Sequence, residues 1–141
     1  MKTSKASLQL VIEQGECNGF QSTEWFVNNE LVLSTGINEP IPNKIEFTVE
    51  MPCELRVNIN GKNINSDTKV VDGKIVQDKF IKIKEAYLAR YPIKEHLLHE
   101  LCEYTDDTGE VHHNQYWHRN GQVKIVLDSN DPIIWHFTKN T

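Results

Sequence analysis

Residues 44–60 read "KIEFTVEMPCELRVNIN", and the alternation in this stretch decides the fold class. Ile45, Phe47, Val49 and Met51 fall on one parity, with Glu46, Thr48 and Glu50 on the other. Beyond Pro52, Leu55, Val57 and Ile59 alternate with Arg56, Asn58 and Asn60. Successive side chains of a strand point to opposite faces, so each run buries one face and wets the other.

The same period extends outward in both directions. Leu8, Leu10 and Ile12 alternate with Gln9 and Glu13, and Leu31 and Leu33 follow suit. Val123, Ile125 and Leu127 alternate with Gln122, Lys124 and Asp128, and Ile133, Trp135 and Phe137 share one parity. Asn18-Gly19, Asn60-Gly61, Asp72-Gly73 and Asn120-Gly121 punctuate these runs. Such dipeptides tolerate the positive φ angles of tight hairpin turns. "KVVDGKIV" (69–76) reads as a two-residue hairpin with Val70 opposite Ile75. In "DKFIKIKEAYL" (78–88) the apolar parity slips after Ile83, which predicts a bulge near Lys84-Glu85.

One stretch breaks the period. In "YPIKEHLLHELCEY" (91–104), Ile93, Leu97, Leu98, Leu101 and Cys102 fall at helical spacing behind Pro92. A short helix is predicted near 93–104. Many short strands, frequent turns and one helix describe an all-β, antiparallel β-sandwich or jelly roll. It is read as a single domain over 1–141, with 1–44 an N-terminal strand pair or a docking arm.

Composition narrows function by exclusion. A net charge of -5 with no Lys/Arg cluster argues against nucleic acid as a partner. No run approaches the 18 apolar residues of a membrane span, and no signal-peptide stretch follows the N-terminus. Synthesis in the cytoplasm is expected, with release inside a larger particle such as a virion as a further expectation. Cys17, Cys53 and Cys102 are too few and too scattered for a disulfide framework and read as buried thiols.

His96 and His99 sit three apart beside Glu100 and Cys102, but the order is not that of a zinc protease. They read as a solvated helix face. Asp106, Asp107 and Glu110 crowd one loop, and Asp128, Asn130 and Asp131 another. Calcium uses such oxygens, yet Asp and Asn also favour turns, so no metal ligand or cofactor is assigned. No Gly-x-Ser-x-Gly elbow or phosphate loop occurs, so no catalytic residue is assigned and the chain is read as not an enzyme.

The aromatic residues carry the remaining signal. If Asn120-Gly121 closes a two-residue hairpin, Tyr116 and His118 join the inner face, and Trp117 and Arg119 the outer one. An exposed Trp beside Arg suits a sugar-stacking platform or a protein interface. The alternative is that the helix or the N-terminal segment covers this face, and Trp117 is core. Trp117, Arg119, Asn120 and Trp25 are therefore the candidate ligand- or partner-binding residues. Trp25 and Phe26 are adjacent, so one of the pair is expected to face outward; Trp135 is expected in the core.

Three stretches taken in order, "KIEFTVEMPCELRVNINGK", "DTKVVDGKIVQDKFIKI" and "YWHRNGQVKIVL" followed by "PIIWHF", resemble small β-sandwich proteins of tailed bacteriophages that are similar to carbohydrate-binding modules. The resemblance covers residues 45–137. It implies a sandwich fold and a non-catalytic role, virion-associated or glycan-binding. The leading reading is a structural component of a virion that contacts other protein subunits and is oligomeric. A lectin-like module with a glycan partner is the alternative, and a small hydrolase ranks below both.

Overall fold

The computed structural model describes residues 4–140. In chain order the first strands are β1 (Ser4–Gly15), β2 (Ser22–Val27), β3 (Glu30–Thr35), β4 (Lys44–Met51) and β5 (Cys53–Asn60). Then come β6 (Thr68–Val71), β7 (Lys74–Asp78), β8 (Phe80–Leu88) and β9 (Tyr91–Pro92), followed by helix α1 (Glu95–Leu101). The chain ends with β10 (Glu103–Asp106), β11 (Val111–His113), β12 (Tyr116–Trp117), β13 (Gly121–Leu127) and helix α2 (Pro132–Thr138).

Two antiparallel sheets face each other. One has the order β12-β8-β1-β4 with β9 appended to β8, and the other the order β11-β10-β13-β5-β2-β3. The protein is thus the antiparallel β-sandwich that the alternating runs predict. Within residues 1–44, β1 lies between β4 and β8, and β2 and β3 close one end of the second sheet. Residues 1–3 and 141 lie outside the described residues. Among the described residues no helix is long and apolar enough to cross a membrane.

The core fills the space between the sheets. Leu8, Leu10 and Ile12 of β1, Ile45, Phe47 and Val49 of β4, and Ile81, Ile83 and Leu88 of β8 meet Leu55, Val57 and Ile59 of β5 and Val123, Ile125 and Leu127 of β13. The parity slip in β8 is a bulge. Val11 pairs with Glu85 and Ile12 with Ile83, so Lys84 is the extra residue and Ala86 and Leu88 return to the inner face. Cys17, Cys53 and Cys102 are buried free thiols, and burial pushes the Cys53 thiol up to about 11.

Four local expectations are corrected. The helix is shorter than 93–104, because Pro92 pairs with Tyr87 in β9 and the helix begins only at Glu95. Leu31 turns to solvent, because β3 bulges at Val32: Trp25 pairs with Leu33 and Phe26 with Leu31. Residues 132–138 form α2 rather than a strand. Asp131 caps it by accepting from the N–H groups of Ile133 and Ile134, with Pro132 in the first turn. Asn120-Gly121 closes no hairpin, since β12 pairs with β8 in one sheet and β13 with β5 and β10 in the other. The dipeptide lies on the crossing between layers.

β6 and β7 stand apart from both sheets and pair only with each other. Val70 lies opposite Ile75 as predicted, across a turn in which Asp72 and Gly73 have φ of 53° and 76°. Two buried ion pairs hold the base. Lys79 Nζ lies 3.0 Å from Asp67 Oδ2, and Lys62 Nζ lies 2.6 Å from Asp78 Oδ1.

Candidate functional site

The residues singled out from sequence do not converge on one surface. Trp117 is fully buried, its ring centroid 6.5 Å from that of Trp25, which is also fully buried. The outer-face expectation for Trp117 fails because its parity is set by pairing with Ile81 of β8, not by a hairpin with β13. Its indole N–H donates to the Asn114 carbonyl at 2.7 Å. Trp25 donates to Thr23 Oγ1, and the neighbour that faces outward is Phe26, beneath the Arg56 guanidinium at 4.5 Å.

Arg119 and Asn120 serve one end of the sandwich. Arg119 Nε donates to Asp107 Oδ1 at 2.8 Å. The Asn120 amide accepts from Lys62 N and donates to Lys62 O, so it bonds to that residue's backbone as a neighbouring strand would.

Asp106, Glu110 and His112 form the one group of potential metal ligands found among the described residues, with ligand atoms within 4.8 Å of one another. Asp106 Oδ1 already accepts from Thr108 Oγ1 at 2.5 Å, Thr108 N at 2.9 Å and Glu110 N at 3.2 Å. Its Oδ2 is paired with His112 Nε2 at 2.9 Å. The Thr108 hydroxyl and His112 hold the Asp106 carboxyl well below the usual carboxylate range. Both oxygens are thus committed to the β10–β11 turn. Calcium seeks six to eight open oxygens, so this donor set does not fit it.

A different place offers an open surface on hydrogen-bonded supports. Tyr91, Pro92, Lys94, Ile133, His136, Phe137 and Asn140 line a cleft of about 460 Å³ between β9 and α2. Tyr91 is 57% exposed and Phe137 77% exposed. Behind them the supports are fixed. Trp135 anchors α2 in the core. His136 Nε2 bonds to the Leu88 carbonyl at 2.7 Å. A carbonyl only accepts, so Nε2 carries the proton and Nδ1 accepts from the Asn140 amide at 3.0 Å. Asn140 also donates to Pro92 O and accepts from Lys94 N, tying the chain end to β9. The Tyr91 ring meets His136 edge-on at 5.5 Å.

A second groove of about 390 Å³ crosses the outer face of the β4-β1-β8 sheet, past Gln9, Lys44, Glu46, Glu85 and Tyr87. Its polar groups satisfy one another. Ser7 and Gln9 donate to Glu46, and the Tyr87 hydroxyl donates to Glu85 at 2.9 Å. Those bonds, that from Gln9 foremost, lower the Glu46 carboxyl, and the bond to Glu85 raises the Tyr87 phenol.

Sequence reasoning missed Tyr91 and Phe137. The available signal was Asp131-Pro132, a helix start that places Pro132 and Trp135 on one side and Ile133, Ile134 and Phe137 on the other.

No family model matches the chain, and no curated protein sequence matches it. The fold is similar to that of a selenomethionine form of vCBM60, reported with a circular-permutation link between two families of calcium-dependent carbohydrate-binding modules. That alignment has a TM-score of 0.50 and 12% identity and covers 86% of this chain and 90% of the other. vCBM60 in complex with galactobiose aligns at a TM-score of 0.47 with 13% identity, over 85% of this chain and 97% of the other. The expected likeness to carbohydrate-binding modules thus holds at the level of fold.

Proposed function

We propose that this chain is a non-catalytic carbohydrate-binding module and that it holds a sugar in the cleft between Tyr91 and Phe137. The observation that carries the reading is two exposed aromatic rings, on supports anchored in the core, flanking one cleft. Sugar rings present flat C–H faces that stack on aromatic side chains, while their hydroxyls seek polar groups at the rim. Here Tyr91 and Lys94, which line the cleft, bring a hydroxyl and an ammonium. The sandwich shared with vCBM60, itself described as a carbohydrate-binding module, agrees with this use of the fold. Calcium plays no part in the proposal, because the Asp106 oxygens are already filled.

The test is affinity electrophoresis in gels containing soluble xylan, galactan, β-glucan or glycol chitin. Retardation in one of them is expected for the wild-type protein and lost in Phe137→Ala, whose exposed side chain contributes little to folding. Equal mobility of the two proteins in every gel would sink the proposal.

A second reading, a subunit of a larger assembly such as a phage particle, is favoured by a separate observation. The β6–β7 hairpin exposes Val70, Val71, Ile75 and Val76 together. Co-purification of the chain with a particle, lost when the hairpin is made polar, would support this reading. Recovery of the chain free of any particle would count against it.

A further inference from the structure

The β6–β7 hairpin has no layer of its own to pack against. Its four large aliphatic residues are between 47% and 64% exposed. An isolated two-stranded hairpin is marginally stable in water. This one is held at its base instead. Lys62 and Lys79, with side chains 4% and 3% exposed, pair with Asp78 and Asp67. Thr68 Oγ1 adds a bond to Asp78, and Asn63 N one to Asp67. Lys62 also donates to the carbonyls of Lys79 and His118. Buried ion pairs contribute little net stability, and their best-attested use is to fix one geometry. Here they fix an apolar, exposed hairpin that joins neither sheet of the sandwich.

The two edges of the hairpin differ. Lys69 pairs with Gln77 and Val70 with Ile75, so Val76 is an unpaired extra residue and β7 is bulged. Bulges blunt an edge against further pairing. β6 is unbroken, and residues 69–72, which run one residue past β6 into the turn, are self-complementary when run antiparallel to themselves. In the register that places Val70 opposite Val71 of a second copy, Lys69 lies opposite Asp72 of that copy. The twofold axis repeats both pairs.

We propose that two copies of this chain associate through their β6 edges, forming a continuous four-stranded sheet in the order β7-β6-β6-β7. The interface is isologous, so a single strand supplies both sides of it. The occupant is a second copy because matching charges flank the two valines of this edge, Lys69 within β6 and Asp72 in the turn just beyond it. This inference deepens the assembly reading. Its test involves no sugar, so its failure and that of the cleft are read separately.

Sedimentation from about 1 μM to about 1 mM protein tests it, a range spanning weak to moderate association. The wild type is expected to pass from monomer to dimer. Lys69→Glu turns the two Lys69–Asp72 attractions at the ends of the paired edges into repulsions and is expected to weaken association about tenfold or more. Lys69→Glu combined with Asp72→Lys is expected to restore it. Val70→Asp is expected to abolish the dimer while leaving the unfolding midpoint unchanged, since the side chain is exposed. A wild type that stays monomeric across the range overturns the proposal. So does a dimer indifferent to Val70→Asp, and one that the charge exchange fails to restore overturns the register.

Discussion

Trp117→Ala tests the placement of the residue that the sequence put on the outer face, either open to solvent or covered as core. The indole lies between the sheets against Trp25, and its N–H bonds to Asn114 O at 2.7 Å. Truncation withdraws about 200 Å² of buried surface, or about 5 kcal/mol at 25 cal/mol per Å². A compact unfolded chain already hides part of that area, which lowers the figure. The Asn114 carbonyl loses its donor, and the cavity closes only in part. The expected loss is about 4 kcal/mol, within the range of about 3–5 found for large aromatic truncations. At this chain length that is a fall in Tm of about 12 °C. Urea unfolding followed by far-UV circular dichroism reads the loss from the midpoint at an unchanged m-value. Trp117→Phe should lose clearly less, because it keeps most of the packing. A loss under about 1 kcal/mol for the alanine variant would put the ring at the surface and refute the core described above.

Three further outcomes follow from named contacts. Lys79→Met strands the Asp67 carboxylate and should cost about 3 kcal/mol in urea unfolding, and Lys79→Met with Asp67→Leu should recover most of it. Burial alone would raise the Asp67 carboxyl, but the Asn63 N–H, the Asn18 amide and Lys79 outweigh it and hold it at about 2. The depressed carboxyl contributes stability above its unfolded pKa of about 3.9, and that contribution fades as pH falls from about 5 to about 2. Asp67→Asn should therefore flatten the acid limb of a stability-versus-pH curve by about 1 kcal/mol, after allowance for solvent screening. Calcium or a chelator should leave Tm within about 1 °C, because the one group of potential metal ligands found among the described residues has its Asp106 oxygens already filled. A rise of several degrees with calcium would contradict that assignment.

Legibility in the sequence followed how far a residue's environment is set by its near neighbours. β4 and β5 were readable because one face meets the core and the other water, which writes the period directly into the chain. The Val70–Ile75 register and the Lys84 bulge were readable for the same local reason. Asn120-Gly121 was misleading. Turn chemistry shows that the chain can reverse, but not which sheet the next strand joins. That one choice inverted the face assigned to Trp117. In α2, seven residues are too few to separate a period of two from one of 3.6, and Ile133, Trp135 and Phe137 fitted both. The cleft depended on that helix and on β9. β9 follows a turn whose positive φ angles fall on Ala89 and Arg90, neither of which advertises such a turn.

The most direct measurement is a ¹⁵N–¹H titration of the labelled protein with oligosaccharides from whichever polysaccharide retards it, or with all four sets if none does. The account predicts saturable shifts confined to residues around Tyr91, Lys94 and Phe137, the same with a chelator present and absent from Phe137→Ala. Shifts centred on the Asp106 loop or the Gln9–Tyr87 groove, or no shifts from a folded protein with any of the sugars, would contradict it.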